Sequence, residues 1–143
     1  MGGDYQGANA QVPNAKRVYV DAQAAIHADA TQQGRGLARR FAGLGAAVAL
    51  CGRRGEVAED AAEEIARETG AATLAGACDV RDFEQVEAFA GRIVERFGKI
   101  TGLVNNAAGN FLAQTEKLSP NGFRTVVDIV LQGSFHATLA TAR

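Results

Sequence analysis

Short apolar runs alternate along this chain with longer segments of helical period. "RVYVDA", residues 17 to 22, fits a short strand. "GRGLARRFAGLGA" (34 to 46) places Leu37, Phe41 and Leu44 at helical spacing, with Gly45 as a stop. "AVALC" (47 to 51) is wholly apolar, as expected of a strand buried on both faces. "GEVAEDAAEEIARETG" (55 to 70) reads as an amphipathic helix closed by glycine, and "ATLAGACDV" (72 to 80) contains a third strand. "DFEQVEAFAGRIVERFG" (82 to 98) opens on an acidic cap and carries Phe83, Val86, Phe89, Ile93, Val94 and Phe97 on one face. "ITGLVNN" supplies a fourth strand. The segment 119 to 143 begins with Ser and then Pro at the first helical position and continues as a helix. Residues 1 to 16, rich in Gly, Asn, Gln and Ala without a period, read as a flexible arm.

Strand and helix alternate four times. That order predicts an α/β fold: a doubly wound parallel sheet of about four strands and four helices over residues 17 to 143. Such sheets bind ligands at the carboxyl ends of their strands, where the strand order reverses. "NNAAGNF" (105 to 111) falls at the end of the fourth strand. Its small residues would let a ligand approach the backbone, and its amides would satisfy polar groups there.

Composition narrows the partners. The chain has 143 residues, 47% apolar and 22% charged, with a formal net charge of -1, which gives no electrostatic case for nucleic acid. No window approaches the ~18 unbroken apolar residues of a membrane helix, and the N-terminus does not have the pattern of a signal peptide. Cys51 and Cys78 each end an apolar run and read as buried thiols in a reducing compartment, which suggests a cytoplasmic location or an organelle matrix with the targeting segment missing. His27 and His136 are isolated and read as structural or surface residues, and no Cys/His spacing suggests a metal. The carboxylate-rich helices read as solvated faces with i,i+4 pairs rather than acid/base dyads.

Four motifs then coincide in order: "GRGLARRFAGLGAAVALCGRR", "CDVRD", "LVNNAAGNF" and "TEKLSPNGFRTVVDIVLQGSF". From about Gly34 onward the chain resembles the short-chain dehydrogenase/reductase family. The doubled alanine of "NNAAGNF" and "LSPNGFRTVVDIVL" look most like its 2,4-dienoyl-CoA reductase branch. The resemblance implies a Rossmann-like fold and NADP(H)-dependent reduction of an unsaturated acyl-CoA. Gly34, with Gly36, would belong to the turn that offers backbone N–H groups to the cofactor diphosphate. Counted back from Gly34, that turn falls on "HADATQQG" (27 to 34), where most of the family's glycines are replaced, and the first strand would then be "AQAAI" (22 to 26) rather than "RVYVDA". Arg53 and Arg54, after the second strand, would meet the 2′-phosphate of NADPH. Asp79 and Val80 would meet the adenine. Asn105, Ala107 and Gly109 would flank the nicotinamide ribose. Arg81, Asn110, Phe111 and Ser119 would face the acyl-CoA substrate. Val130 stands where most of the family has an asparagine that supports a proton relay, a departure the dienoyl-CoA branch shares.

The family's chemistry also uses a tyrosine and a lysine four residues on. Here Tyr5 is followed at that spacing by Asn9 and Tyr19 by Gln23, so no catalytic residue is assigned. The expectation is an N-terminal half of a reductase, inactive in isolation and associating with a second copy through the 119 to 143 helix. The alternative expectation is a non-catalytic fragment or degenerate paralogue serving as a nucleotide-binding or assembly module.

Overall fold

A computed structural model describes residues 18–21, 28–108 and 114–142. The expected arm at 1 to 16 lies outside them, as does the alternative first strand at 22 to 26. The elements run β1 (Val18–Asp21), α1 (Ala28–Gly43), β2 (Val48–Gly52), α2 (Gly55–Thr69), β3 (Thr73–Ala77), α3 (Phe83–Phe97) and β4 (Gly102–Val104). A 3-10 turn (Thr115–Lys117) leads into α4 (Pro120–Val127), a π-helical turn (Asp128–Gln132) and α5 (Gly133–Ala142). The single long helix expected over 119 to 143 is therefore present, with a wide turn in its middle.

The described strands form one parallel sheet in the order β3-β2-β1-β4. Val18 of β1 lies opposite Val48 on one side and Gly102 on the other. Val18–Asp21, within the "RVYVDA" run, thus pairs on both sides. After β1 the chain builds outward through β2 and β3, then returns to the far side of β1 as β4. The carboxyl ends of β1 and β4 flank the point of reversal, where such sheets open a ligand crevice.

Local signals set the helix ends. Asp82 caps α3, its carboxylate accepting from the N–H groups of Glu84 and Gln85. Ser119 caps α4, its Oγ accepting from Gly122 N at 3.0 Å, with Pro120 at the first helical position. Gly70 and Gly98 end α2 and α3 at φ 69° and 84°, a left-handed conformation that a Cβ would disfavour.

The core lies on both faces of the sheet. Alternate residues of β2 point to opposite sides. Val48 and Leu50 pack with Ala38 and Ala42 of α1 and with Ala58, Ala61, Ala62 and Ile65 of α2. Ala49 and Cys51 pack with Cys78, Val80, four residues of α3 (Val86, Phe89, Ile93 and Phe97), and Ile129 and Ala137 of the long helix. Every residue of β2 is buried, as its apolar run predicts.

Three expectations about helix faces need correction. Leu37 and Leu44 are 41% and 71% exposed, because α1 turns its alanines inward and packs closely on the sheet. Val94 is 47% exposed, since Ile93, Ala90 and Phe97 already fill the face that α3 presents to the core. Glu64 and Glu68 of α2 pair with a neighbouring helix rather than along their own. Arg35 and Arg39 of α1 reach across to Glu64 at 3.0 and 2.7 Å, and Arg39 reaches Glu68 at 2.6 Å.

Candidate functional site

In a parallel sheet all strands point the same way, so the segments that follow β2, β3 and β4 gather along one edge. Arg53 and Arg54 follow β2, Asp79 to Arg81 follow β3, and Asn105 to Ala107 follow β4. Sequence reading placed its candidates there, and the fold brings them to that one edge.

Arg53 and Arg54 are exposed, and Arg54 is the first residue before α2 without capping that helix. The turn after β3 is held against β2 by the Cys78 N–H donating to Gly52 O at 2.9 Å. Within this turn Asp79 and Arg81 bind one another. Arg81 Nε donates to both carboxylate oxygens of Asp79, at 2.9 and 3.1 Å, and the Arg81 N–H donates to Oδ1 at 3.1 Å. The Asp79 N–H donates to Gln85 Oε1 at 3.0 Å. The Arg81 guanidinium holds the Asp79 carboxyl below its ordinary range, against an opposing effect of burial, and Arg53 adds a weaker pull. Asp79 in turn holds Arg81 protonated, with a smaller contribution from Asp128. Asp79 is therefore an anion, able only to accept hydrogen bonds, with its side chain 20% exposed.

The pair makes stability depend on pH in a stated direction. A carboxyl with a lowered folded pKa adds stability that is complete above its unfolded value, here about 3.8, and is lost as pH falls through the lower folded value. Asp79→Asn should cost about 1 kcal/mol or less at pH 7, the scale of a partly exposed pair. That cost should shrink below about pH 3.8. Urea unfolding of both proteins across pH 2 to 7 measures it; a difference that does not change with pH would contradict the pairing.

The remaining candidates divide. Val80 is fully buried in the core, and its carbonyl faces His136. Asn105 is exposed at the end of β4, and Ala107 packs partly on the core. Ser119 is exposed, with its hydroxyl engaged as the cap of α4. Gly109, Asn110 and Phe111 lie outside the described residues. Val130 falls within the π-helical turn and is 45% exposed.

Gly34 is not at the start of its helix. It is buried as the seventh residue of α1, beyond the first turn where backbone N–H groups lack intrahelical partners. Those first-turn positions belong to Ala28, Asp29, Ala30 and Thr31, while His27 lies outside the described residues. A groove of about 400 Å³ lined by Gly36, Arg40, Gly43, Leu44 and Thr69 lies toward the carboxyl ends of α1 and α2, at the opposite edge of the sheet. It is not part of this site.

Two contacts were not foreseen. His136 Nδ1 lies 2.8 Å from Val80 O, across 56 positions of sequence. Gly133 lets α5 approach Val80 so closely that a Cβ there would stand 2.6 Å from Val80 Cγ2. "QGSFH" held the only signal: a small residue one helical turn before a side chain that can donate. Among the described residues no group of three or more His, Cys, Asp or Glu side chains could hold a metal ion, and no helix is long and apolar enough to cross a membrane. Cys51 and Cys78 are buried thiols that form no disulfide.

Comparison with known proteins agrees with this geometry. A probable 2,4-dienoyl-CoA reductase of Caenorhabditis elegans, producing (3E)-enoyl-CoA, is 45% identical over 106 residues, 73% of this chain and 34% of the relative. A probable 2,4-dienoyl-CoA reductase of Bacillus subtilis, producing (2E)-enoyl-CoA, is 39% identical over 113 residues, 77% of this chain and 43% of the relative. The chain thus spans less than half the length of these curated relatives. Among solved structures, an actinorhodin polyketide ketoreductase variant with NADPH superposes with a TM-score of 0.80 at 29% identity, over 90% of this chain and 47% of that one. The family profile described as short chain dehydrogenase matches residues 24–143. With that match joined to the strand order and to the motif residues gathered at one sheet edge, the chain belongs to the short-chain dehydrogenase family.

Proposed function

We propose that these residues form the NADPH-binding half of a reductase acting on unsaturated acyl-CoA, of the 2,4-dienoyl-CoA kind. The observation that carries the reading is the pairing of opposite charges along one edge. Two exposed arginines follow β2, and the anionic Asp79 follows β3. A 2′-phosphate suits the first group, because guanidinium binds phosphate through paired N–H donors. A purine amino group suits the second, because a carboxylate accepts from it. The residues present therefore fit the adenosine end of NADPH. They fit the diphosphate less well, since α1 carries Gly34 in its interior.

When bound, the nicotinamide supplies hydride. This chain's own residues would bind and orient. Arg53 and Arg54 would take the phosphate, Asp79 the adenine with Val80 behind it, and Asn105, Ala107 and Gly109 the nicotinamide ribose. Arg81, Asn110, Phe111 and Ser119 would face the thioester substrate, with Arg81 also bracing Asp79. No tyrosine in these residues has a lysine four positions on, and turnover by this chain alone is not expected. Cys51 and Cys78, buried and without a disulfide, support a reducing compartment such as the cytoplasm.

The test is nucleotide affinity. Arg53→Ala should weaken NADPH binding about 10- to 100-fold, the range of a lost charge-assisted hydrogen bond, and NADH binding about 2-fold or less. Isothermal titration of both nucleotides reads the contrast. Equal losses would remove Arg53 from the phosphate site.

A second reading, an assembly module, has its own support. Phe123, Leu131 and Phe135 on the long helix are 61%, 67% and 62% exposed. Apolar exposure on this scale along one helix suits a partner surface, and a second copy of the chain is the proposed partner.

A further inference from the structure

The turn that would recognise the base is fastened from behind. Its middle residue, Val80, is fully buried, and its carbonyl lies 2.8 Å from His136 Nδ1 on α5. A carbonyl only accepts, so Nδ1 carries the proton. The imidazole is flanked by the Phe83 ring, edge-on with centroids 5.6 Å apart, and by the Phe135 ring at 6.3 Å. One helical turn earlier, Gly133 lets α5 press directly on the Val80 side chain. Arg81 secures the Asp79 carboxylate from the other direction. The middle carbonyl and the outer carboxylate of one three-residue turn are thus each held, and only the first hold comes from a distant element.

We infer that His136 is a positioning residue for base recognition: through the Val80 carbonyl it fixes the Asp79 carboxylate and so sets the preference for adenine over a purine without a 6-amino group. The inference rests on the proposed placing of adenosine at Asp79. The chemistry is a sign change. The 6-amino group of adenine donates to a carboxylate, whereas the 6-oxo group of hypoxanthine is an acceptor facing an acceptor. That discrimination is strong only while the carboxylate keeps its position. A turn freed from α5 can shift as a unit, Asp79 and Arg81 together, which carries the carboxylate out of reach of the amino group and leaves both bases to be met alike.

The experiment compares NADPH with reduced nicotinamide hypoxanthine dinucleotide phosphate, titrated into three proteins: the parent, His136→Leu and His136→Asn. Asn places an amide N–H close to where Nδ1–H stands, and Leu removes the donor. The parent should prefer NADPH about tenfold or more. His136→Leu should bring the two affinities within about twofold, and His136→Asn should restore most of the preference. If His136→Leu loses affinity equally for both nucleotides and keeps the parent ratio, the contact serves only to hold the fold and the inference is overturned. If the parent has no preference between the bases yet Arg53→Ala still loses NADPH selectively, the placing of adenine at Asp79 fails while the phosphate site stands. If the parent binds neither nucleotide, the proposed function fails as well. Should the leucine variant not fold, the unsubstituted chain answers through its ring nitrogen signals. The His136 Nδ1–H resonance should move on adding 2′-AMP and hardly at all with 2′-IMP. Equal movement with both would overturn the inference.

Discussion

Phe89→Ala is expected to lower the stability of this chain by about 3–5 kcal/mol, the usual cost of deleting a buried phenyl ring. Phe89 is 2% exposed and stands among the largest fully buried side chains of the described residues. It projects from α3 into the cluster that holds Cys51, Cys78, Val80, Val86 and Ile93, so its ring helps join the sheet to α3 and the long helix. Two neighbours cannot close the space it would leave. Gly76 of β3 has no side chain to move, although its Cα comes so near that a Cβ there would lie 3.3 Å from the ring. Arg92 stands beside the same glycine, with its guanidinium carbon 5.4 Å from the ring centroid, and its donation to Ala75 O at 3.2 Å holds it there. The residual cavity therefore remains largely open, which puts the loss toward the upper part of the range. Domains commonly hold only about 5–15 kcal/mol in total, so the variant should be close to unfolding at 37 °C. Urea unfolding by circular dichroism measures this; a loss below about 1 kcal/mol would mean that α3 does not pack on the sheet as described.

Helix glycines should respond to alanine with opposite signs depending on what faces them. Gly133→Ala is expected to destabilise by about 1–2 kcal/mol. Alanine has the better helix propensity by roughly 0.8–1.0 kcal/mol, but overpacking a fitted core costs about 1–3 kcal/mol. Overpacking wins here because the added Cβ would stand 2.6 Å from Val80 Cγ2 and 3.0 Å from Val80 Cβ. Val80 has little room to yield. It is fully buried, β-branched and therefore stiff at χ1, and its carbonyl is tied to His136. Gly91, inside α3, has nothing within 4 Å of an added Cβ and is exposed. Gly91→Ala should therefore stabilise by about 0.5–1 kcal/mol through propensity alone. Thermal unfolding of the two variants side by side is decisive, since the same chemical change should move the midpoint in opposite directions. A stabilising Gly133→Ala would place α5 farther from Val80 than described.

Features governed by local spacing could be read from the sequence. The apolar run at 47 to 51 became the wholly buried β2, Gly70 and Gly98 became left-handed helix ends, and Ser119 with Pro120 opened the last helix. Each signal lies within a few residues of its effect. The gathering of Arg53, Asp79 and Asn105 at one edge was legible too, because parallel strands leave no other arrangement. What stayed hidden depends on contacts between distant segments. Leu37 and Leu44 have the right helical spacing, yet α1 packs through Ala38 and Ala42, since small side chains allow the closer approach. Arg35 and Arg39 match Glu64 and Glu68 only once two helices lie side by side. Asp79 and Arg81 read as separate residues for two ligands, and that they are also partners of one another shows only in the folded turn. For His136 the chain offers only the small residue one turn before it, and Val80 lies 56 positions away.

The wide turn at Asp128–Gln132 has a consequence for the long helix as a whole. Phe123 and Phe135 are twelve positions apart. At about 100° per residue an unbroken α-helix would set them roughly 120° apart around the axis. A π turn closes its hydrogen bonds one residue later, which retards the helical phase by about one residue and brings the two rings to within roughly 20° of each other. The turn acts as a phase shifter. It lets Ile129, Gly133 and Ala137 face the sheet while the phenylalanines on either side of the shift fall into a single outward seam. Counted in this way, the helix contains one residue more than a regular seam of the same length would use, and that extra residue aligns its two halves.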